Sequence, residues 1–259
     1  MKINNELVVL LPAYNEENDV EKLVMRWEEQ EKIISKYQLA LKIVVINDGS
    51  KDRTREICEN LKKTHQYFEL INHEQNKGLG KAVETGFKYV IEYHPNCKFV
   101  CLMDCDNTQD PKYIEDMLCK MDSSKADVVI ASRYQKGAAV HGLSWHRRMT
   151  SEGARWIYKC VFNVPNVRDY TCGFRLYTYD ILKKANHAYQ ERFIEQSGFT
   201  CMAEILYKLS CVGARFGEIP FELQYGAKGG KSKMRVIKTI KDSLKLTFQL
   251  RKIKKDESI

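Results

Sequence analysis

Three short apolar runs punctuate the first hundred residues: Leu7 to Leu11, Ile43 to Ile46 and Phe99 to Met103. Each stops abruptly at polar residues. Runs of this length, separated by stretches of helical spacing, read as buried strands of a parallel sheet. The pattern predicts strand 7–11, helix 17–36, strand 41–46, helix 52–64, a short strand near 68–72, helix 79–93, strand 98–103, helix 111–121 and strand 127–131. Strands alternating with helices imply an α/β fold with helices on both faces of the sheet. Asp52 is placed to cap the second helix. Past residue 131 the pattern loosens. Residues 133–150 combine Arg133, Lys136, Gly137, His141, Gly142, His146, Arg147 and Arg148 with few apolar anchors, and read as a mobile loop over a site. A helix near 149–162, a short strand at 174–177, a helix over 198–212 and a strand from Ala214 to Leu223 follow, then a Gly/Lys loop at 226–233. From there Met234, Ile237, Ile240, Leu244 and Phe248 recur at helical spacing, with lysines on the other faces.

Composition narrows the class. A chain of 259 residues, 44% hydrophobic and 29% charged, fits one substantial globular domain. No apolar run approaches the roughly 20 residues that span a bilayer. The first strand begins without the charged and apolar regions of a signal peptide. Nine cysteines are scattered, with no C-x-x-C pair and no histidine at zinc spacing. Cys58, Cys101, Cys160, Cys201 and Cys211 fall inside apolar patterns and read as reduced, packed thiols, which points to a cytoplasmic compartment. The net charge of +8 is uneven: residues 228–255 carry eleven Lys/Arg against Asp242 alone, so the remainder is −2. Residues 228–259 therefore form a basic, amphipathic arm suited to an anionic surface. Its charge is confined to one segment without interleaved aromatics, which argues against a nucleic-acid partner.

The candidate chemistry sits at the strand tips. Asp104-Cys105-Asp106 closes the third run, and two carboxylates there suit a hard divalent cation, Mg²⁺ or Mn²⁺, shared with substrate phosphates. Pro12-Ala13-Tyr14-Asn15-Glu16 and Asn47-Asp48-Gly49-Ser50 close the other two, so all three loops meet at the carboxyl edge where open α/β sheets bind ligands. Asp48 also fits a plain Asx turn. The turn Asn76 to Ala82 offers backbone N–H groups, Lys77 and Lys81 to an anion, or is simply a cap. Asp169, Thr171 and Arg175 read either as a buried polar network or, through Arg175, as an acceptor-phosphate site. Glu204, in an apolar helix, requires a partner and reads as a base or an ion-pair member. His141 and His146 read as loop residues. Trp145 and Trp156 read as packing residues, with Trp145 also placed to touch lipid.

The motifs P-A-Y-N-E (12–16), N-D-G-S-x-D (47–52), N-x-G-x-G-x-A (76–82), D-x-D (104–106), S-R-Y (132–134), D-Y-T-C-G-F-R-L-Y (169–177) and G-x-S-K-M (230–234) occur in that order. The set resembles the GT-A glycosyltransferases of family 2, and within them the dolichol-phosphate mannosyltransferase and polyprenyl-phosphate sugar transferase branch. The resemblance covers roughly residues 5–240. It implies one GT-A domain over 1–227, with a Rossmann-like nucleotide-binding half (1–106), an acceptor half (107–227) and a mixed, mainly parallel sheet. It further implies that Pro12, Tyr14 and Glu16 line the nucleotide, that Asp48 meets the base, and that Lys77 and Cys105 belong to the donor pocket. Asp104 and Asp106 would hold the cation and donor diphosphate, with Gln109 as a third ligand, although the spacing to Pro111 is one residue longer than the branch pattern. Arg133 and Arg175 would face donor and acceptor phosphates. Ala227 stands where many relatives carry arginine; Lys228, Lys231 and Lys233 would supply the phosphate contacts.

The implied activity is metal-dependent, inverting transfer from a GDP-mannose or UDP-hexose type donor to a polyprenyl or dolichyl phosphate. A saccharide hydroxyl is the alternative acceptor, and would require a base such as Glu204 or Asp110. The Q-x-x-R-W pattern of processive synthases is absent, Gln249 being followed by Leu250-Arg251-Lys252. Membrane attachment would be peripheral, through the basic arm, or through an integral-membrane partner.

Overall fold

The computed structural model describes residues 5–142 and 145–227. The helix expected from 234, the end of the Gly/Lys loop, and Lys228, Lys231 and Lys233 lie outside the described residues.

The chain alternates as the apolar periodicity requires. β1 (Asn5–Ala13) leads to α1 (Val20–Glu28) and α2 (Glu31–Lys36), then β2 (Leu39–Asn47), α3 (Thr54–Thr64), β3 (Phe68–Asn72), α4 (Leu79–Tyr93) and β4 (Cys97–Leu102). The second half runs α5 (Ile114–Ser124), β5 (Val128–Ser132), β6 (Ala139–His141), α6 (Trp145–Phe162), β7 (Arg175–Thr178), α7 (Tyr179–Tyr189), α8 (Cys201–Cys211), β8 (Phe216–Pro220) and β9 (Glu222–Gln224). Seven strands form one sheet in the order β3-β2-β1-β4-β7-β5-β8, while β6 and β9 pair separately. Every pairing in the large sheet is parallel except those of β7, which runs antiparallel between β4 and β5. The fold is thus the expected α/β class with a mixed, mainly parallel sheet. Because β7 reverses direction twice over, β4 and β5 point the same way. Asp104 and Arg133, which follow them, therefore emerge at one edge, and the start of β7 emerges there too.

Strands β1, β2 and β4 are buried on both faces, with Leu7 to Leu11, Ile43 to Ile46 and Val100 to Leu102 at or below 1% exposure. That explains their uninterrupted apolar runs.

Several elements depart from expectation for local reasons. The helix expected over 17–36 is two helices: the Gln30 amide bonds the Trp27 carbonyl while its side chain takes the Arg26 carbonyl, which breaks the i→i−4 ladder. Asp52 lies one residue before the α3 cap position, held by Arg53; its carboxylate still accepts the Thr54 amide at 3.0 Å. The segment expected as a loop over 133–150 contains β6 and the first turns of α6. Helix α7 was not expected, although Thr178 supplies a cap, its hydroxyl accepting the Ile181 amide at 3.4 Å. Cys160 and Cys211 are exposed rather than packed, whereas Cys58, Cys101 and Cys201 are buried.

Candidate active site

The first two polar tips are laced together by local hydrogen bonding. Asn15, at φ 52°, turns the chain after β1. Its amide donates to Ser50 Oγ at 2.9 Å and its side-chain oxygen accepts the Lys51 amide at 2.8 Å. The Glu16 amide bonds Thr54 Oγ1 at 2.8 Å, and Asp52 accepts the Glu17 amide at 3.2 Å. Pro12 and Tyr14 remain half-buried at the edge, while Glu16 is 9% exposed and lies against the wall.

Asp48 is buried, and its carboxylate organises the next loop. Its oxygens accept the Lys77 amide at 2.9 Å and the Gly78 amide at 2.8 Å, and Oδ1 also meets His73 Nδ1 at 2.7 Å. The N–H groups expected to meet an anion in the 76–82 turn thus face an internal one, with Lys77 keeping its side chain at the exposed rim. The next free amide of that turn, Gly80, donates to the Ser197 carbonyl at 3.1 Å. Gly80 is required there: a Cβ would stand 1.8 Å from the Gln196 oxygen. With both oxygens bonded inside the wall, Asp48 shapes the loop that borders the pocket.

Asp104 and Asp106 follow β4 and are half-buried. Gln109 clamps the first: its amide nitrogen donates to Asp104 Oδ2 at 2.9 Å, and its oxygen accepts the Asp104 amide at 3.2 Å. The backbone N–H can face only an oxygen, so the network fixes the carboxamide orientation. Gln109 therefore orients Asp104 through both ends of its carboxamide. The extra residue before Pro111 is absorbed by Asn107 at φ 56°, which returns Gln109 to Asp104. Asp106 Oδ1 accepts the Thr108 hydroxyl at 2.6 Å and amide at 3.2 Å. Cys105 points inward, 3% exposed, and does not line the pocket. Burial, together with nearby Glu16 and Asp106, pushes its thiol well above the ordinary value.

Sequence reasoning missed the clasp around this loop. Asn107 donates to the Asp19 carbonyl at 2.9 Å, and Arg26 on α1 reaches Asn107 Oδ1 at 3.2 Å and Asp110 Oδ2 at 2.9 Å. The signal was faint: one basic residue on a polar helix face and one asparagine inside the D-x-D loop.

The third wall is the 169–173 turn. Asp169, fully buried, holds Arg133 through two bonds, Nε to Oδ2 at 2.8 Å and Nη2 to Oδ1 at 2.7 Å; Nη2 also reaches Thr171 Oγ1 at 2.7 Å. Burial works against the Arg133 charge, but attraction to Asp169 outweighs it and holds the guanidinium well above its usual pKa. The Asp169 carboxyl is lowered for the reciprocal reason, against its own burial. Glu218 on β8 supports the turn, accepting the Arg168 amide at 2.7 Å and the Asp169 amide at 2.8 Å, and burial raises its pKa. Gly173 completes the link to the D-x-D loop: a Cβ there would lie 2.8 Å from Asp104 Oδ1. Arg175, by contrast, is fully buried and donates to the carbonyls of Met202 and Tyr170 at 2.8 and 2.9 Å. It braces α8 against the turn and does not reach a phosphate, so its expected catalytic place is corrected.

Of the two expected bases, Glu204 is closed off in the interior and Asp110 is half-exposed and ion-paired. Glu204, 1% exposed, pairs with buried Lys208 at 2.7 Å and accepts the amides of Glu195 and Gln196. Asp110 pairs with Arg26 and accepts the Lys112 amide.

What converges at the edge is a pair of oriented carboxylates, a half-buried proline and tyrosine, and an arginine fixed by a buried aspartate. Among the described residues no group of three or more His, Cys, Asp or Glu side chains forms a metal cage. Two hard oxygen donors fit a Mg²⁺ or Mn²⁺ whose remaining ligands come from a diphosphate and water. Residues 8–185 match the family described as glycosyl transferase family 2. A dolichol-phosphate mannosyltransferase of Pyrococcus furiosus is 27% identical over 245 residues, covering 94% of this chain and 63% of that protein. A dolichyl-phosphate beta-glucosyltransferase of Trichomonas vaginalis is 28% identical over 254 residues, covering 93% and 73%. The chain thus spans under two thirds of the archaeal relative. A mannosyltransferase from Pyrobaculum calidifontis, solved with GDP-Man and Mn²⁺, shares the fold at a TM-score of 0.55 and 15% identity, over 83% of this chain and 55% of that one. The chain belongs to glycosyl transferase family 2.

Proposed function

We propose that this glycosyltransferase moves a hexosyl group from a nucleotide-sugar of the GDP-mannose or UDP-hexose type to a polyprenyl or dolichyl phosphate, with a divalent cation. The observation that carries the acceptor class is the state of the two expected bases. A saccharide hydroxyl must lose a proton as it attacks, yet Glu204 is closed in a buried ion pair and Asp110 is tied to Arg26. A phosphate oxygen arrives already anionic and needs no base. The two dolichol-type relatives support the same reading.

In the reaction an acceptor phosphate oxygen attacks the anomeric carbon from the face opposite the leaving group. The bond from that carbon to the diphosphate oxygen breaks, its electron pair leaves with the nucleoside diphosphate, and the centre inverts. Pro12 and Tyr14 line the nucleotide, and Arg133 steadies phosphate charge at the pocket edge. Asp104 and Asp106 would hold the cation, which would supply Lewis-acid neutralisation of the diphosphate. Residues 1–227 serve as the catalytic domain, and the basic 228–259 arm holds it to a cytoplasmic membrane face, alone or with an integral-membrane partner.

The test supplies GDP-mannose, UDP-glucose or UDP-N-acetylhexosamine with Mg²⁺ or Mn²⁺, with and without a short polyprenyl phosphate, and follows nucleoside diphosphate release. Turnover that needs the lipid phosphate and disappears in Asp106→Ala is expected. Turnover with a saccharide acceptor alone would overturn the acceptor class.

A further inference from the structure

Helix α6 has two unlike faces. Inward, Tyr158 and Phe162 are buried, stacked on each other at 5.6 Å and packed on Tyr170 and Tyr207. Outward, Trp156 is 57% exposed, with Gly153, Lys159 and Cys160 exposed along the same stripe. The expectation that Trp156 packs in the core is therefore wrong. Its ring is flanked by two cations, with Lys159 Nζ at 5.4 Å from the centroid and the Arg155 guanidinium at 6.0 Å. A lone exposed aromatic is ordinary; one held between cations beside the catalytic edge is a different case. Arg155 lies 4.4 Å from the ring centroid of Tyr134, the residue after Arg133, which places this part of α6 at the rim of the pocket. Exposed Arg168 adds a third cation there, its guanidinium 3.4 Å from the Tyr134 carbonyl, while Glu152 pairs with Arg155.

We propose that the outward face of α6, centred on Trp156, docks on an anionic lipid surface and presents the pocket to a membrane-borne acceptor. The inference rests on the lipid-phosphate reading and deepens it. A polyprenyl phosphate keeps its headgroup at the level of the lipid headgroups, so the pocket must open onto the bilayer, and its rim must tolerate that environment. Indole rings prefer this zone, one end apolar and the other wet. Arg155, Lys159 and Arg168 complement an anionic leaflet, each cation near it favouring binding about fivefold. The two other exposed large hydrophobics among the described residues divide by position. Tyr93, at the end of α4, lies at the opposite sheet edge, whereas Phe199 is on the loop that meets Gly80 at the pocket side.

The test uses the full chain with Trp145→Phe, leaving Trp156 and the fully buried Trp27 as reporters. Vesicles of phosphatidylcholine, with or without phosphatidylserine, carry brominated acyl chains. Anionic vesicles are expected to blue-shift and quench the Trp156 emission. Trp156→Ala is expected to weaken vesicle binding roughly tenfold and raise KM for the lipid acceptor while KM for the donor is unchanged. Vesicle binding with Trp156 unquenched, or no vesicle binding, overturns the docking. Quenching without lipid-dependent turnover would sink the acceptor reading and leave the docking standing.

Discussion

Gly173→Ala tests whether the 169–173 turn fixes the Asp104 carboxylate, the proposed cation ligand. The new methyl would stand 2.8 Å from Asp104 Oδ1 and 3.2 Å from both Cγ and Oδ2, inside any ordinary contact. Gly173 is outside the left-handed region, so alanine suits its backbone and the cost lies in that contact. The carboxylate cannot simply turn away, because Oδ2 is held by Gln109 at 2.9 Å. Either the methyl is accommodated by strain, about 1–3 kcal/mol, or the charged hydrogen bond is lost, about 1.5–3 kcal/mol. At about 2–4 °C per kcal/mol for a protein of this size, melting should fall by roughly 2–12 °C. A ligand so displaced loses affinity by about 10–100-fold. The assay is Mn²⁺ titration followed by electron paramagnetic resonance, with a nucleoside diphosphate present, beside a thermal melt. Unchanged Mn²⁺ affinity and melting would show that Asp104 moves freely and that the turn does not position it.

Gly80→Ala drives a methyl into the Gln196 carbonyl, which the backbone must yield to; a loss above about 3 kcal/mol is expected by urea unfolding, and a loss under 1 kcal/mol would refute the packing. Lys208→Met leaves Glu204 buried without its cation and should cost about 3–5 kcal/mol; a neutral outcome in the same experiment would count against the pair as the anchor of residues 195–196. His94, between Glu69 and Glu6 at the opposite sheet edge, has its pKa raised chiefly by Glu69, and Glu69 is lowered chiefly by His94. The histidine contribution is complete below the unfolded value of about 6.5 and fades as pH rises through the raised folded value; the glutamate contribution fades as pH falls through its lowered one. The melting gap between the wild-type protein and His94→Gln should therefore be widest between those limits and narrow above them, and a gap independent of pH would refute the coupling.

The fold was legible because its signals are local. Continuous apolar runs mark strands buried on both faces, and β3 and α4 fall at the expected residues. The reversal of β7 was not legible, since a four-residue strand carries no sign of direction. The site divides along the same line. Residue types at strand tips located the edge, but not which side chains face it. Asp48, Cys105, Gln109 and Arg175 all sit in or beside motifs, yet all four are buried, and Asp48, Gln109 and Arg175 bond neighbouring backbone or side chains. A single sequence cannot separate a carboxylate that meets substrate from one that shapes the loop meeting it, because both need the same residue at the same turn. The candidates differ in burial. Asp104 and Asp106 stay half-exposed, while the groups fixing them come from α1, the 107–109 loop and the 169–173 turn, segments distant in sequence. The pocket is therefore positioned by long-range contacts around a locally encoded pair, which is why a substitution at Gly173, outside the D-x-D motif, should alter metal affinity by displacing Asp104.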